Sequence, residues 1–358
     1  MLRTGAGRLA ETDRLPTSLR AVLGHYADTG EFDWESLRLK RRVDDVTEAM
    51  IDEAFEAIER RLTTEFGHDD VSFAYDTKLV LPAQLTLGYL YRRLDPSDHD
   101  RAEAMTRLAI EALIDGDMRD AINDDEFEDF EVDFHHGDPR RVARLAQQTL
   151  EDRVESGFAD HPDAVRDAYD WAVDVSEAHQ DEDDHFRELM TAADESTDSS
   201  GREPRQEARE RIREEYKYVS FADPPDGFTS EELNLPYVKT QYDRVGVIYD
   251  GMIGMYRAAD LPVEDAFKKS IVLAIIGAQL WLDDVDDYAV DMQEGQLTPV
   301  TAEYVLADSQ QTAYERVVDI SERYLDLATD HASAADSTLT GIATEYIYRS
   351  GTPERLPH

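Results

Sequence analysis

The chain has 358 residues, with 37 Lys and Arg against 80 Asp and Glu, giving a formal net charge of −43. So acidic a surface repels phosphate backbones and anionic bilayers, which argues against nucleic-acid binding through a basic patch. The chain has no cysteine, which excludes disulfides, thiolate metal sites and a cysteine nucleophile.

An apolar content of 41% is enough to build a core, so the acidity belongs to a folded surface and not to a disordered chain. Only six of the basic residues are Lys. An Asp-rich, Lys-poor surface suits a cytoplasmic protein of an extreme halophile, where salt screens self-repulsion within a few Å. Neither a signal peptide nor an integral membrane segment is expected. The longest apolar stretch, Ser270–Leu282, has 13 residues and runs into aspartates.

Apolar residues recur at three- and four-residue intervals over Asp44–Thr64, Pro82–Leu94, Ala102–Ile122 and Pro139–Glu155. The same spacing continues over Pro162–Leu189, Gln206–Tyr218, Tyr237–Ala258, Val263–Ala289 and Thr301–Ala328. This is the period of amphipathic helices, and no alternating strand pattern competes with it. The fold is therefore read as all-α. A helical extension is expected over 1–40, one α-bundle over 41–349, an exposed acidic loop at 192–205 and a fraying tail at 350–358.

Among 80 carboxylates most acidic runs are solvated faces, and Asp124–Asp133 and Asp181–Asp184 are read that way. The run Asp283-Asp284-Val285-Asp286-Asp287 differs because it ends an apolar helix. Asp283, Asp287 and Asp291 recur every four residues and so share one helical face. Like charges there are destabilising, and a hard cation with oxygen ligands removes that penalty. The alternative is that the helix simply emerges into water at Asp283. A second apolar helix, Ala102–Ile122, ends in Asp115, Asp117 and Asp120. Two such walls facing each other could hold Mg²⁺ with positions open to phosphate oxygens, as ionisation of a diphosphate ester beside an apolar cavity requires. Gln279, one turn before Asp283, is placed either to bond diphosphate or metal-bound water, or to serve as a satisfied core amide.

These residues resemble the class I isoprenoid synthase family, and within it the trans-polyprenyl diphosphate synthases. Asp283–Asp287 matches the second DDxxD motif, and Asp291 to Pro299 is similar to the segment after it in that family. Lys239-Thr240, 44 residues upstream of Asp283, resembles the Lys-Thr pair that contacts diphosphate. Gly116–Asp120 looks like a first motif lacking its first Asp, with Asp115 one position earlier. Thr77–Pro82 resembles the segment whose lysine, here Lys78, binds the second diphosphate. His135-His136 stands where the family has an arginine pair, with Arg140 and Arg141 next in the chain.

The resemblance implies a helical bundle with a central apolar cavity, two or three Mg²⁺ ions bound with diphosphate, a prenyl diphosphate substrate and a homodimer. It assigns Asp115, Asp117, Asp120, Asp283, Asp284 and Asp287 to metal, and Lys239 and Thr240, joined by Gln279, to catalysis. Lys78, Lys239, His135, His136 and Arg140 fall to substrate. Each lysine has a plain salt bridge as its alternative, and Lys268-Lys269 is expected on an exposed turn. Leu81 replaces the family's arginine and histidines replace its arginine pair, so bidentate grips on a second diphosphate are lost. A single-substrate, terpene-synthase-like enzyme and a non-catalytic helical subunit are the competing readings, beside a chance DDxxD in an Asp-rich chain.

Overall fold

The computed structural model describes residues 17–29, 34–68, 71–134, 138–194 and 202–358. Among them the chain is all-α except for one two-residue antiparallel ladder, β1 (Phe73–Ala74) on β2 (Glu131–Val132). None of the described helices is long and apolar enough to cross a membrane.

The first half runs α1 (Thr17–Thr29), α2 (Trp34–Phe66), α3 (Leu81–Arg93), α4 (His99–Asn123) and α5 (Pro139–Ala159). Proline opens α5 and stands second in α3, where its missing N–H removes no helical bond. The single helix expected over Pro162–Leu189 is two, α6 (Asp163–Gln180) and α7 (Asp183–Asp194). Asp183 and Asp184 occupy the first turn of α7, where carboxylates meet the positive end of the helix dipole. The stretch expected as a loop at 192–205 is helical at both ends, since α7 reaches Asp194 and α8 (Arg202–Arg211) begins inside it. Residues 195–201 lie outside the described residues.

Three helices of the second half contain a widened π turn. It is Ile212–Lys217 after α8, Tyr242–Gly246 between α9 (Val238–Gln241) and α10 (Val247–Ala258), and Gln279–Asp283 between α11 (Asp265–Ala278) and α12 (Asp284–Asp286). The chain continues through α13 (Tyr288–Glu294), α14 (Pro299–Leu306), α15 (Gln310–Ala334) and α16 (Thr338–Ser350). The helix expected over Thr301–Ala328 breaks before Ser309, whose hydroxyl accepts the Thr312 N–H and caps α15. A capping box between Thr298 and Thr301 starts α14.

Two compact units divide the chain. One comprises Trp34–Asp170 with Met252–Val263. Its core is the apolar face of α2–α5: Ile58, Leu62, Leu87, Leu90, Met105, Ile110, Ile114, Val142 and Leu150. The other comprises α1, Trp171–Gly251 and Glu264–His358. Its centre is α11 laid on α15, with Val272, Leu273, Ile276, Leu280, Tyr324 and Leu325 buried together. Gly277 permits that approach, because a Cβ there would stand 2.7 Å from Leu325 Cδ2. Phe186, Met190, Ile212, Tyr216, Tyr237 and Val305 form a second cluster in this unit.

The last residues, expected to fray, pack against the same unit. Leu356 is buried, Tyr304 donates its hydroxyl to the Pro357 carbonyl at 2.6 Å, and Arg355 pairs with Asp286 at 2.9 Å. Trp281 stacks on Tyr348 and donates its indole N–H to the Tyr348 carbonyl at 2.8 Å. A Cβ on Gly351 would fall 1.9 Å from that indole nitrogen. Gly351→Ala is therefore expected to displace the indole, cost about 1–3 kcal/mol of stability and shift tryptophan emission. An unchanged spectrum with an unchanged urea midpoint would show that the tail does not hold Trp281.

Candidate functional site

Each of the three π turns of the second unit carries a polar side chain that is at least partly buried. A π turn adds one residue to the helix and is a frequent companion of functional sites. Tyr216 lies on the first, Arg244 on the second, and Gln279 on the third, which delivers Asp284.

Of the acids that follow α11, Asp283, Asp286 and Asp287 are exposed, and Asp284 turns inward. Asp284 is 2% exposed, and Gln279 Nε2 donates to its Oδ1 at 3.2 Å. Arg244 stands 3.8 Å from the same oxygen, while Asp284 Oδ2 is buried without a hydrogen-bond partner among the described residues. Burial raises the Asp284 carboxyl to about 7, against the opposing pull of Arg244. Asp291 is raised to about 6 by burial and by the Asp287 charge. Asp284, Asp183 and Asp291 are the acids whose fields act on Arg244.

His179, from α6, is buried within reach of the same fields. Burial, then Arg244 and Lys239, lower its imidazolium to about 4, so the ring is neutral under ordinary conditions. Gln241, fully buried, donates to the Tyr216 hydroxyl at 3.4 Å, and its Oε1 has no partner among the described residues. Tyr216 in turn donates to the Leu297 carbonyl at 2.8 Å.

Asp283, Asp287 and Asp291 follow one another by single helical turns, the Asp287 N–H donating to the Asp283 carbonyl and the Asp291 N–H to the Asp287 carbonyl, each at 2.9 Å. Asp283 and Asp287 are exposed, Asp291 is half-buried and Asp284 turns inward. Among the described residues no three carboxylates or histidines form a ready metal cluster. Lys239 is ion-paired to Asp243 on its own helix. Thr240 is buried and donates to backbone carbonyls of Tyr216 and Tyr237, at 3.3 and 3.2 Å. Lys268 and Lys269 are buried, not exposed, and pair with Asp250 and Glu232 at 3.0 and 3.1 Å.

In the first unit, Asp115 and Asp117 fall on opposite sides of α4, as a two-residue step on a helix requires. Asp115 is buried, with one oxygen bound by Arg119 at 3.0 Å and the other by Gln147 at 2.9 Å. Asp117 is exposed and accepts the Tyr75 hydroxyl at 2.7 Å. Partial desolvation, then the Asp76 and Asp129 charges, hold its carboxyl above the usual carboxylate range despite that bond. Asp120 is exposed. Lys78 is almost wholly exposed and pairs with Asp76 at 2.6 Å, and Arg140 pairs with Asp125 at 2.6 Å. His135 and His136 lie outside the described residues.

Sequence reasoning missed Arg244, His179 and the contribution of Asp183. The signal for Arg244 was thin, because Tyr237–Ala258 also holds Lys239, Asp243, Asp250 and Arg257, and the helical period singles out none of them. No protein-family model matches the chain, and no curated protein or solved structure is significantly similar to it.

Proposed function

We propose that the chain is a Mg²⁺-dependent enzyme of the class I isoprenoid synthase type, which ionises an allylic prenyl diphosphate and transfers or rearranges the prenyl group. The observation that carries this reading is the inward turn of Asp284 onto Arg244, with a buried carboxylate oxygen left without a donor among the described residues. A helix that merely surfaced at Asp283 would leave Asp284 in water together with Asp283, Asp286 and Asp287.

Asp283, Asp287 and Asp291, which follow one another by single helical turns beside Asp284, offer carboxylate oxygens, the ligand type that fits a hard cation. Asp283, Asp287 and Asp291 would hold Mg²⁺, which when bound neutralises a departing diphosphate. Asp117 and Asp120 are exposed on α4 in the first unit. Arg244 offers a guanidinium fork to phosphate oxygens, and Lys239 a second positive charge. Gln279 fixes the orientation of Asp284 through its side-chain bond. The carbon–oxygen bond breaks toward the diphosphate, which leaves with the electron pair while the allyl cation remains on the prenyl chain.

Lys78 and Arg140 favour a one-substrate version of this chemistry. Both spend their charge on surface acids, Asp76 and Asp125, where a second diphosphate would need them. Geranylgeranyl diphosphate incubated with the protein and Mg²⁺ in multimolar KCl is expected to release diphosphate without isopentenyl diphosphate. Asp283→Ala and Asp287→Ala should each lower that rate by about 100-fold or more. Release that needs isopentenyl diphosphate would restore the elongating version. No release under either condition, or full turnover in both variants, would overturn the proposal.

A further inference from the structure

A separate cleft of about 480 Å³ opens in the second unit between the π turn after α8 and helix α15. Its walls include Arg213, Lys217, Tyr218, Pro236 and Arg316. In a chain where acids outnumber bases 80 to 37, an arginine is expected to find a carboxylate. The Arg213 side chain has no ion-pair or hydrogen-bond partner among the described residues, while its backbone carbonyl accepts the Tyr218 N–H at 2.9 Å. Arg316 reaches only the second oxygen of Glu303, at 3.7 Å. Two acids that line the same cleft, Asp308 and Asp319, pair with neither arginine.

The charge behind the wall explains why these guanidiniums stay available. Glu303 is fully buried, and its first oxygen is held by Lys217 at 2.5 Å and by the Tyr237 hydroxyl at 2.7 Å. Its charge is thereby matched by Lys217, so that of the three basic residues lining the cleft the two arginines are the ones without a close carboxylate among the described residues. Tyr218 stands at the rim with 55% of its surface exposed, and Lys217 Nζ lies 5.2 Å from its ring centroid. An exposed aromatic face beside two guanidiniums offers stacking to a flat ring and forked bonds to a phosphate. The cleft lies in the size range of small-molecule sites, roughly 300–1,000 Å³.

We infer that this cleft binds a nucleoside phosphate, with the base on Tyr218 and the phosphate on Arg213 and Arg316. The recognition is by contact, so it persists in concentrated salt, where forces beyond about 3 Å are screened.

The test is calorimetric titration of the full chain in multimolar KCl with AMP, adenosine and inorganic phosphate. AMP should saturate a single site, with adenosine and phosphate each about tenfold weaker or worse. Arg213→Gln and Arg316→Gln should each weaken AMP about tenfold, and Tyr218→Ala should reduce AMP to the level of phosphate. Arg213→Lys keeps the charge but not the fork, and should lie nearer to Arg213→Gln than to the wild type. Circular dichroism of the four variants should be unchanged, since all replace partly or largely exposed side chains. Absence of saturable AMP binding, affinity unchanged in the arginine variants, or phosphate binding as tightly as AMP would each overturn the inference.

Discussion

Glu303→Ala is expected to destabilise the chain by about 3–5 kcal/mol, the cost of leaving a buried charge without its partner. Lys217 is 7% exposed and, among the described residues, has Glu303 as its only acid within ion-pair distance. Removing the carboxylate also strips the Tyr237 hydroxyl of its acceptor in a site where both groups are sealed from water. Surface pairs in the same chain behave differently. Lys40 and Asp44, half-exposed and one helical turn apart, contribute roughly 0–1 kcal/mol and less in salt. The Glu303 effect should therefore keep its size as KCl is raised, measured by urea unfolding at fixed salt. The double variant Lys217→Met with Glu303→Leu should recover most of the loss, because an apolar pair of similar volume carries no unpaired charge. A loss below about 1 kcal/mol in Glu303→Ala would mean that Lys217 reaches water or another acid.

That pair also shows what lysine scarcity meant. Read from sequence, the scarcity of lysine, six in 358 residues, lends weight to Lys78 and Lys239 as diphosphate ligands, with a plain salt bridge as the alternative for each. In the structure each of the six stands beside a carboxylate, four of them in the second unit on Glu303, Asp243, Asp250 and Glu232. A compact ammonium on a long stem can enter an apolar interior with one acid, which is reason enough for a lysine to persist. Composition could flag these residues but could not tell a buried partner from a bound phosphate.

Helices were legible because each buries one stripe, and that stripe imposes its period on the sequence. The breaks were less so. Nothing interrupts the period at Asp181 and Glu182, both tolerated in helices, and only the cap at Ser309 marks the break before α15. Which aspartate of the motif turns inward was not legible, for a geometric reason. Counting one turn from Gln279 to Asp283 assumes 3.6 residues per turn, whereas the π turn Gln279–Asp283 inserts one more and rotates the downstream residues by about 100° relative to Gln279. Asp284 thereby takes the inward position that the count assigned to Asp283. Periodicity cannot register such an insertion, because the residues that make it are ordinary helix formers.

Asp284 is where this rotation has its largest expected consequence. A carboxyl whose value rises from 3.8 in the unfolded chain to about 7 when folded holds its proton more tightly in the folded state. The folded chain is then favoured at low pH, and stability falls as pH climbs from about 4 to about 7, levelling above it. At about 1.4 kcal/mol per pH unit the full penalty is on the order of 4 kcal/mol, with a smaller contribution of the same sign from Asp291. Asp284→Asn keeps the shape and an acceptor for the Gln279 amide while removing the titration. At pH 8 it should be about 2–4 kcal/mol more stable than the wild type, the lower figure allowing for the charge partner that Arg244 loses. Near pH 4.5 the two proteins should nearly coincide, because the wild-type carboxyl is then protonated. The same variant should lose diphosphate release if this carboxylate serves the chemistry proposed above, so that stability and turnover move in opposite directions. A variant less stable than the wild type at pH 8 would mean that Arg244 fully compensates the buried charge, and Asp284 would then be a structural anion.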